Sequence, residues 1–282
     1  MTLAPSMTSR LRTTIAILLL VLASSASALP REARVPGGIA LLPLHLPSSA
    51  PAPKATFAGQ AVLVTHAEGQ WLALVGLPLD LASGDHALHY TTDKGAHEIH
   101  FTVRAKHYPE QRIRLKSKGM VTLSPSDEAR ALAEIDEIRT LKKHWREERS
   151  TDLHFAVPAE GRWSSRFGLR RIFNGEPRNP HAGLDIAVPT GTLIRSSAAG
   201  TVLATGDYFF NGKTVFVDHG NGLISMYCHL DWIEVSSGMP LARGQLLGRS
   251  GASGRASGPH LHWSVILNNT MVDPELFLPA RH

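Results

Sequence analysis

Five side chains in the second half of this sequence could together bind and use a metal ion. The chain has 15 histidines among its 282 residues. The five side chains are His181 and Asp185 in an H-x-x-x-D pattern, His229 directly after Tyr-Cys, and His260 and His262 in an H-x-H pattern. Each pattern alone is common among ordinary polar residues. Their occurrence together in one strand-forming region with glycine-rich turns favours a functional site.

The spacing of these residues explains how they could meet. Side chains at positions i and i+2, or i and i+4, of a β-strand lie on the same face. His260 and His262 can therefore point into one pocket, which His181 and Asp185 can reach from a neighbouring strand. A catalytic zinc ion takes three protein ligands and leaves a fourth position for water, which suits amide hydrolysis. The two groups left over would serve proton transfer and oxyanion stabilisation.

Cys228 precedes His229 and offers an alternative chemistry, that of a thiol nucleophile. Neighbouring residues of a strand face opposite sides, so these two side chains would make a poor dyad. We therefore interpret Cys228 as a small buried residue. The other histidines are interpreted as structural, with His219 exposed on a hairpin turn. A second metal site among the N-terminal histidines stays open as an alternative.

Composition excludes several classes of protein. Hydrophobic residues make up 43% of the chain and charged residues 19%, which is globular and excludes wholesale disorder, collagen-like repeats and a coiled coil. The single cysteine excludes an internal disulfide and a Cys-rich zinc finger. The net charge of +5 indicates attraction to anionic surfaces without identifying one.

The first 28 residues have the features of a secretory signal peptide. Arg10 and Arg12 precede a short apolar run, and an A-x-A pattern ends at Ala28. The run is shorter than the roughly 20 apolar residues that a membrane span needs. We expect an exported mature chain with no transmembrane span. In the absence of a wall-binding repeat or sorting tail, the periplasm is favoured over full secretion.

The pattern of apolar residues predicts a mainly β protein. The expected order is a signal peptide (1–28), a proline-rich extended segment (29–54) with one edge strand at 38–44, an N-terminal β domain (55–120), a linking helix (121–150) and a C-terminal β domain (151–282). Short alternating runs about ten residues apart predict a small antiparallel, Ig-like sandwich for the N-terminal domain. Ser124 should cap the helix. The helix should end near Glu148 and have one apolar stripe, formed by Leu132, Ile135, Ile138, Leu141 and Trp145.

The C-terminal domain resembles the lysostaphin/LytM-type zinc metallo-endopeptidases, which are peptidoglycan hydrolases. The resemblance covers residues from about 155 to 278 and is carried by several stretches in the same order. These stretches are 161–168 (GRWSSRFG), 181–186 (HAGLDI), 191–200 (GTLIRSSAAG), 227–230 (YCHL), 251–262 (GASGRASGPHLH) and 272–274 (VDP).

This resemblance implies an antiparallel β-sheet metallopeptidase domain and one Zn²⁺ per chain. It implies zinc ligation by His181, Asp185 and His262, and a catalytic pair formed by His229 and His260, without showing which of the pair is the general base. The expected substrate is a peptide cross-link or stem peptide of peptidoglycan. We expect a monomer that does not bind nucleic acid.

Three alternatives stay open at this level. The chain could be a non-catalytic wall-binding or amidase-activating module of the same fold, or a zinc hydrolase with another target. The N-terminal domain could dock the substrate or cover the catalytic groove. Neither the bond that is cut nor the oligomeric state follows from the residues.

Overall fold

Strands dominate the computed structural model, which describes residues 29–67, 69–113, 123–173, 175–177 and 179–280. These residues form nineteen strands, one α-helix and one short 3-10 helix, so the predicted mainly β fold is confirmed. The predicted signal peptide lies outside the described residues. No helix within them has the length and apolarity needed to cross a bilayer.

The N-terminal domain is a six-stranded antiparallel arrangement in the order β1-β4-β3-β2-β5-β6. Its strands are β1 (Ile39–Pro43), β2 (Lys54–Phe57), β3 (Gln60–Ala67), β4 (Gln70–Gly76), β5 (Gly84–Thr92) and β6 (Gly95–Val103). The predicted edge strand is therefore present as β1. On β6, Phe101 and Val103 are buried while Thr102 between them is exposed, as alternation predicts.

Strand β3 joins two layers of this domain. Residues 60–62 of β3 pair with β2, and residues 63–67 pair with β4. Apolar side chains from both layers meet in one core, including Leu42, Val75, Leu88 and Phe101. A sandwich-like packing therefore forms with β3 shared between its two layers.

The C-terminal domain is built on a large antiparallel sheet whose main path is β16-β13-β14-β15-β18-β11-β8. Its strands are β8 (Arg162–Ser165), β11 (Leu184–Ala187), β12 (Leu193–Arg195), β13 (Gly200–Tyr208), β14 (Gly212–Gly220), β15 (Leu223–Ile233), β16 (Pro240–Leu241), β17 (Leu246–Ser250), β18 (Leu261–Leu267) and β19 (Thr270–Val272). A 3-10 helix follows at Pro274–Phe277. Central strands β15 and β18 are mostly buried on both faces, which explains their nearly continuous apolar sequences.

The two domains share structure rather than being joined only by a linker. A small sheet in the order β10-β9-β7 pairs β7 (Glu110–Ile113), in parallel, with β9 (Arg170–Phe173), and β10 (Glu176–Pro177) flanks β9. Ile39 and Leu74 from the N-terminal domain lie in the same buried cluster as Leu184 and Val265 from the C-terminal domain.

Helix α1 (Pro125–Lys142) lies against the C-terminal domain. As predicted, Ser124 caps it by accepting a hydrogen bond from the Asp127 backbone N–H at 3.1 Å. Near its centre, Glu137 accepts a hydrogen bond from Tyr208 Oη at 2.9 Å. Ile138 packs on an apolar cluster of the large sheet. The helix therefore covers part of one face of that sheet.

The predicted end and stripe of this helix are partly wrong. The helix ends at Lys142, and the chain then turns so that Arg146 pairs with Asp218 at 2.5 Å and accepts a hydrogen bond from the Asn221 N–H at 2.7 Å. These tertiary contacts with the β14–β15 hairpin replace further helical turns. Leu132 is 58% exposed, so the apolar stripe is only partly used for packing.

Candidate metal centre

Strand register brings the predicted ligands together at one end of β11 and β18. Asp185 on β11 lies directly opposite His262 on β18. His181 lies just before β11 and is fixed by backbone hydrogen bonds with residues 168 and 169. Gly183 lies so close to β18 that a Cβ there would be 2.6 Å from the Trp263 carbonyl oxygen. This close approach explains why the segment between His181 and Asp185 contains glycine.

The three predicted ligands form a tight triangle of donor atoms. His181 Nε2 is 2.9 Å from Asp185 Oδ1 and 3.0 Å from His262 Nδ1. His262 Nδ1 is 2.9 Å from Asp185 Oδ1. Within the described residues, only these three form a group of His, Cys, Asp or Glu side chains with metal-binding geometry.

The outer nitrogens of both ligand rings are held by protein groups. His181 Nδ1 donates to the Arg166 carbonyl oxygen at 3.0 Å, which leaves Nε2 of the neutral ring without a proton. His262 Nε2 lies 2.9 Å from the hydroxyl of the buried Ser264. A ring that donates to this hydroxyl also presents an unprotonated Nδ1 to the triangle.

This arrangement fits a metal ion. Two nitrogen lone pairs and one carboxylate oxygen converge, and such a cluster needs a cation or shared protons to be stable. Two imidazoles and one carboxylate form a donor set that suits zinc, with three protein ligands and room for water. The residues present therefore fit the metal that the sequence resemblance implies.

The predicted catalytic pair stands beside the triangle. The rings of His229 and His260 are 4.7 Å apart between centroids. His229 Nδ1 donates to the Ser253 carbonyl oxygen at 2.9 Å, and His260 Nδ1 donates to the Gly258 carbonyl oxygen at 2.8 Å. Each neutral ring therefore keeps Nε2 available for a substrate or water, and His260 Nε2 is 3.8 Å from Asp185 Oδ1.

The backbone of His229 adopts a left-handed conformation, with φ of 61°. Regular alternation would place its side chain on the face opposite Cys228, and Cys228 is itself paired with His262 across β15 and β18. The β15 register against β14 shifts next to this position, and the His229 ring lies 6.1 Å from the His262 ring. The local distortion thus turns His229 toward the metal centre, and nothing in the sequence pattern predicted it. A left-handed backbone conformation at a non-glycine residue lowers the stability of the folded state by about 1–3 kcal/mol, and such residues cluster at active sites.

Electrostatics set the protonation states of these groups. Burial by itself would raise the pKa of Asp185, but protons shared with the rings of His181 and His262 would hold that pKa well below the usual range. A bound cation takes the place of those protons and stabilises the same ionised carboxylate. Burial is the main cause that lowers the pKa of His262, and it lowers the pKa of His229 to about 4. Near pH 7 these two imidazoles are neutral, which is the form that binds a metal or accepts a proton.

The structure argues against a thiol nucleophile. Cys228 is fully buried, and its Sγ accepts a hydrogen bond from Asn211 Nδ2 at 3.3 Å. Burial raises the pKa of the Cys228 thiol to about 12, so the reactive thiolate is not formed at neutral pH. Cys228 is a small buried residue, as the sequence analysis concluded.

The expectation that His219 is exposed is wrong. His219 belongs to β14 and is only 2% exposed. Its Nδ1 lies 2.7 Å from the Ala199 carbonyl oxygen and its Nε2 lies 2.7 Å from Ser225 Oγ. The Gly-Asn-Gly sequence after His219 predicts a turn, but β14 continues to Gly220, so His219 lies within the strand and not in the turn. His219 is a satisfied core histidine away from the metal centre.

Comparisons with known proteins give matches in both domains. Residues 179–274 match Peptidase family M23, and residues 32–106 match the Peptidase family M23 N-terminal domain. A crystal structure of a Pseudomonas aeruginosa protein assigned to peptidase M23 is 41% identical, with a TM-score of 0.75. That likeness covers 87% of this chain and 95% of the other.

Two curated relatives each match over about 40% of this chain. The peptidoglycan DD-endopeptidase ShyA of Vibrio cholerae is 39% identical over 41% of this chain and 28% of its own length. The DD-carboxypeptidase/endopeptidase Mpg of Neisseria meningitidis is 35% identical over 40% of this chain and 26% of its own length. The chain thus spans about a quarter of the length of these relatives. Taken with the likeness that extends over both domains of the Pseudomonas structure, these matches show that the chain belongs to peptidase family M23.

Proposed function

We propose that this protein is an exported zinc endopeptidase that hydrolyses peptide cross-links or stem peptides of peptidoglycan. The observation that carries the proposal is the convergence of three atoms able to bind a metal, from His181, Asp185 and His262, beside a histidine pair. His229 and His260 both keep Nε2 free next to this triangle. A non-catalytic module of the same fold would not need all five groups in these positions.

A zinc ion bound by the triangle would supply Lewis acidity for activating water and polarising the scissile carbonyl. His181, Asp185 and His262 would hold that ion. Strand pairing positions Asp185 and His262, and backbone hydrogen bonds with residues 168 and 169 position His181. The carbonyl groups of Ser253 and Gly258 fix the rings of His229 and His260 through Nδ1, so that proton transfer takes place at Nε2. Burial lowers the pKa of His229 and so keeps its ring neutral near pH 7, with Nε2 able to accept a proton from water. The proton taken up at His229 Nε2 is then passed to the leaving amine, and His260, when protonated at Nε2, donates a hydrogen bond to the oxyanion.

The substrate class is supported by the relatives. ShyA is named as a peptidoglycan DD-endopeptidase and Mpg as a DD-carboxypeptidase/endopeptidase. The match to Peptidase family M23 at residues 179–274 contains all five groups. We therefore favour a cross-link between D-amino acids over a glycine bridge. Export to the periplasm is proposed from the signal-peptide pattern in residues 1–28.

Zinc content and peptidoglycan hydrolysis should be measured together on the purified full chain. We expect one zinc per chain and release of peptide fragments from purified peptidoglycan. His181→Ala should abolish both, whereas His100→Ala should change neither, because His100 is exposed on the N-terminal domain. Zinc-loaded wild type that leaves peptidoglycan intact would overturn the proposed substrate, and wild type without zinc would overturn the metalloenzyme.

A further inference from the structure

A cavity of about 300 Å³ opens beside the metal centre and extends to helix α1. On the sheet side it is lined by His262 and Ser264 of β18, and on the helix side by Arg139 and Lys142. The metal ligand and two cationic side chains therefore border the same space. A peptide bound at the metal centre has this cavity directly next to it.

The positive charges of Arg139 and Lys142 differ in whether a negative charge lies beside them. Arg139 forms an ion pair with Asp136 one turn earlier on the helix. Lys142 is partly buried, and no carboxylate or other hydrogen-bond acceptor in the described part of the chain pairs with its ammonium group. Burial first, and then the nearby Arg139 guanidinium, lower the pKa of Lys142. The cavity wall therefore has a surplus of positive charge at Lys142.

The helix dipole does not by itself explain why Lys142 is partly buried at the cavity wall. Basic residues in a last helical turn interact favourably with the helix dipole, and Arg139 and Lys142 both lie in that turn. That interaction is equally available to Lys143, which caps the helix and is exposed to solvent. Burying an ammonium group is costly unless an anion pairs with it. A cavity shared with a metal ligand is a suitable place for that anion to come from the substrate.

We propose that the cavity is a substrate subsite in which Lys142, beside Arg139, binds a free carboxylate of the peptide whose scissile amide lies at the metal centre. This inference rests on the proposed function, because it assigns a position in the same peptide substrate. The ammonium group supplies a charge-assisted hydrogen bond, and the apolar wall formed by Ile138 and Met226 accommodates the adjoining aliphatic part of the peptide.

The test uses a soluble cross-linked peptidoglycan peptide with free carboxylates, together with counterparts in which each carboxylate in turn is converted to an amide. Steady-state kcat and KM are measured for the zinc-loaded full chain and for Lys142→Gln. Lys142→Arg preserves the positive charge. Lys142→Met preserves the apolar part of the side chain and replaces Lys142→Gln if that variant is unstable. Lys143→Gln is the matched control outside the cavity.

We expect Lys142→Gln to raise KM for the free-carboxylate peptide about 10- to 100-fold, the range for a lost hydrogen bond to a charged group. One amidated counterpart should show a similar rise with wild type, and for that peptide Lys142→Gln should cause little further change. Lys142→Arg should recover most of the affinity, and Lys143→Gln should behave like wild type.

Equal effects of Lys142→Gln on every peptide, or no effect on any, would overturn the subsite while leaving the proposed function in place. The same holds if Lys142→Arg fails to recover affinity although its zinc content and melting temperature are those of wild type. Failure of wild type to cleave any of the peptides would overturn the proposed function, and the subsite with it.

Discussion

Histidines are frequent in both domains of the molecule, but an exposed pair in the N-terminal domain and the histidines of the metal centre are held in different ways. In the N-terminal domain, His89 and His100 pair with Glu98 at 3.6 and 3.0 Å, and all three side chains are well exposed. Such pairs are screened by solvent and are worth about 0–1 kcal/mol. In the peptidase domain, His181, His229 and His260 each donate through Nδ1 to a backbone carbonyl group.

The difference shows what makes a histidine useful for chemistry. A metal ligand or proton acceptor needs a fixed ring and a known proton position, and a backbone acceptor on the other nitrogen supplies both. An exposed carboxylate on a flexible side chain supplies neither. The number of histidines in a region therefore says less than the partners of their second nitrogen atoms.

The largest expected effect comes from removing the carboxylate that completes the triangle. Asp185→Asn should lose bound zinc and detectable hydrolysis, because a neutral amide cannot offset the charge of the ion. Glu98→Gln is the matched change in the N-terminal domain and should leave zinc content and turnover unaltered. Metal analysis and peptide release measure both, and retention of full zinc by Asp185→Asn would contradict the ligand assignment.

Removing a proton-transfer group should affect turnover without affecting the metal. His229→Ala and His260→Ala should each keep one zinc per chain and lower kcat by about 10²- to 10⁴-fold, the usual contribution of general acid–base catalysis. Zinc stoichiometry and kcat are measured in the same preparations. Loss of zinc from either variant would place that residue among the ligands instead.

Two serine–histidine pairs allow a sharper comparison within one sheet. Ser264 contacts the ligand His262, and Ser225 contacts the core histidine His219. Ser264→Ala should weaken zinc binding about 10- to 100-fold, as measured by competition with a chelator. Ser225→Ala should leave zinc affinity unchanged and lower the free energy of unfolding by about 1–3 kcal/mol. Equal zinc affinity in the two variants would show that Ser264 does not orient its histidine.

The smallest effect is the pH dependence that His219 contributes to stability. Burial lowers the pKa of folded His219 below its ordinary value of 6.5. As the pH falls below 6.5, the unfolded chain gains a proton that the folded ring resists, so stability decreases by at most about 1.4 kcal/mol per pH unit.

Denaturant unfolding at pH 7.5 and 5.5 tests this effect. The wild type should lose more free energy of unfolding between these values than His219→Gln does, and a parallel decline in both would contradict the assignment. The His219→Gln variant serves as the reference for the wild type, because all other groups titrate alike in the two chains.

The sequence predicted the elements and the five groups better than it predicted their surroundings. Strands β5, β6, β14, β15 and β18 follow local apolar patterns. The motif spacing places Asp185 and His262 on strands that are neighbours, with His181 just before the first of them. The left-handed backbone at His229 depends on a register shift against β14, which no local pattern encodes. Burial of His219 and the early end of α1 likewise depend on long-range contacts.

The buried cluster that joins the two domains has a consequence for how the molecule responds to heat and to truncation. Ile39, Leu63, Leu72 and Leu74 complete an apolar core that belongs mostly to the peptidase domain, and Gly76 lies so close to β18 that a Cβ there would be 2.5 Å from the Leu267 carbonyl oxygen. Each domain thus serves as part of the interior of the other. A single cooperative transition is expected in calorimetry. An isolated peptidase domain should melt earlier and aggregate more readily, because its missing partner leaves an apolar face in water.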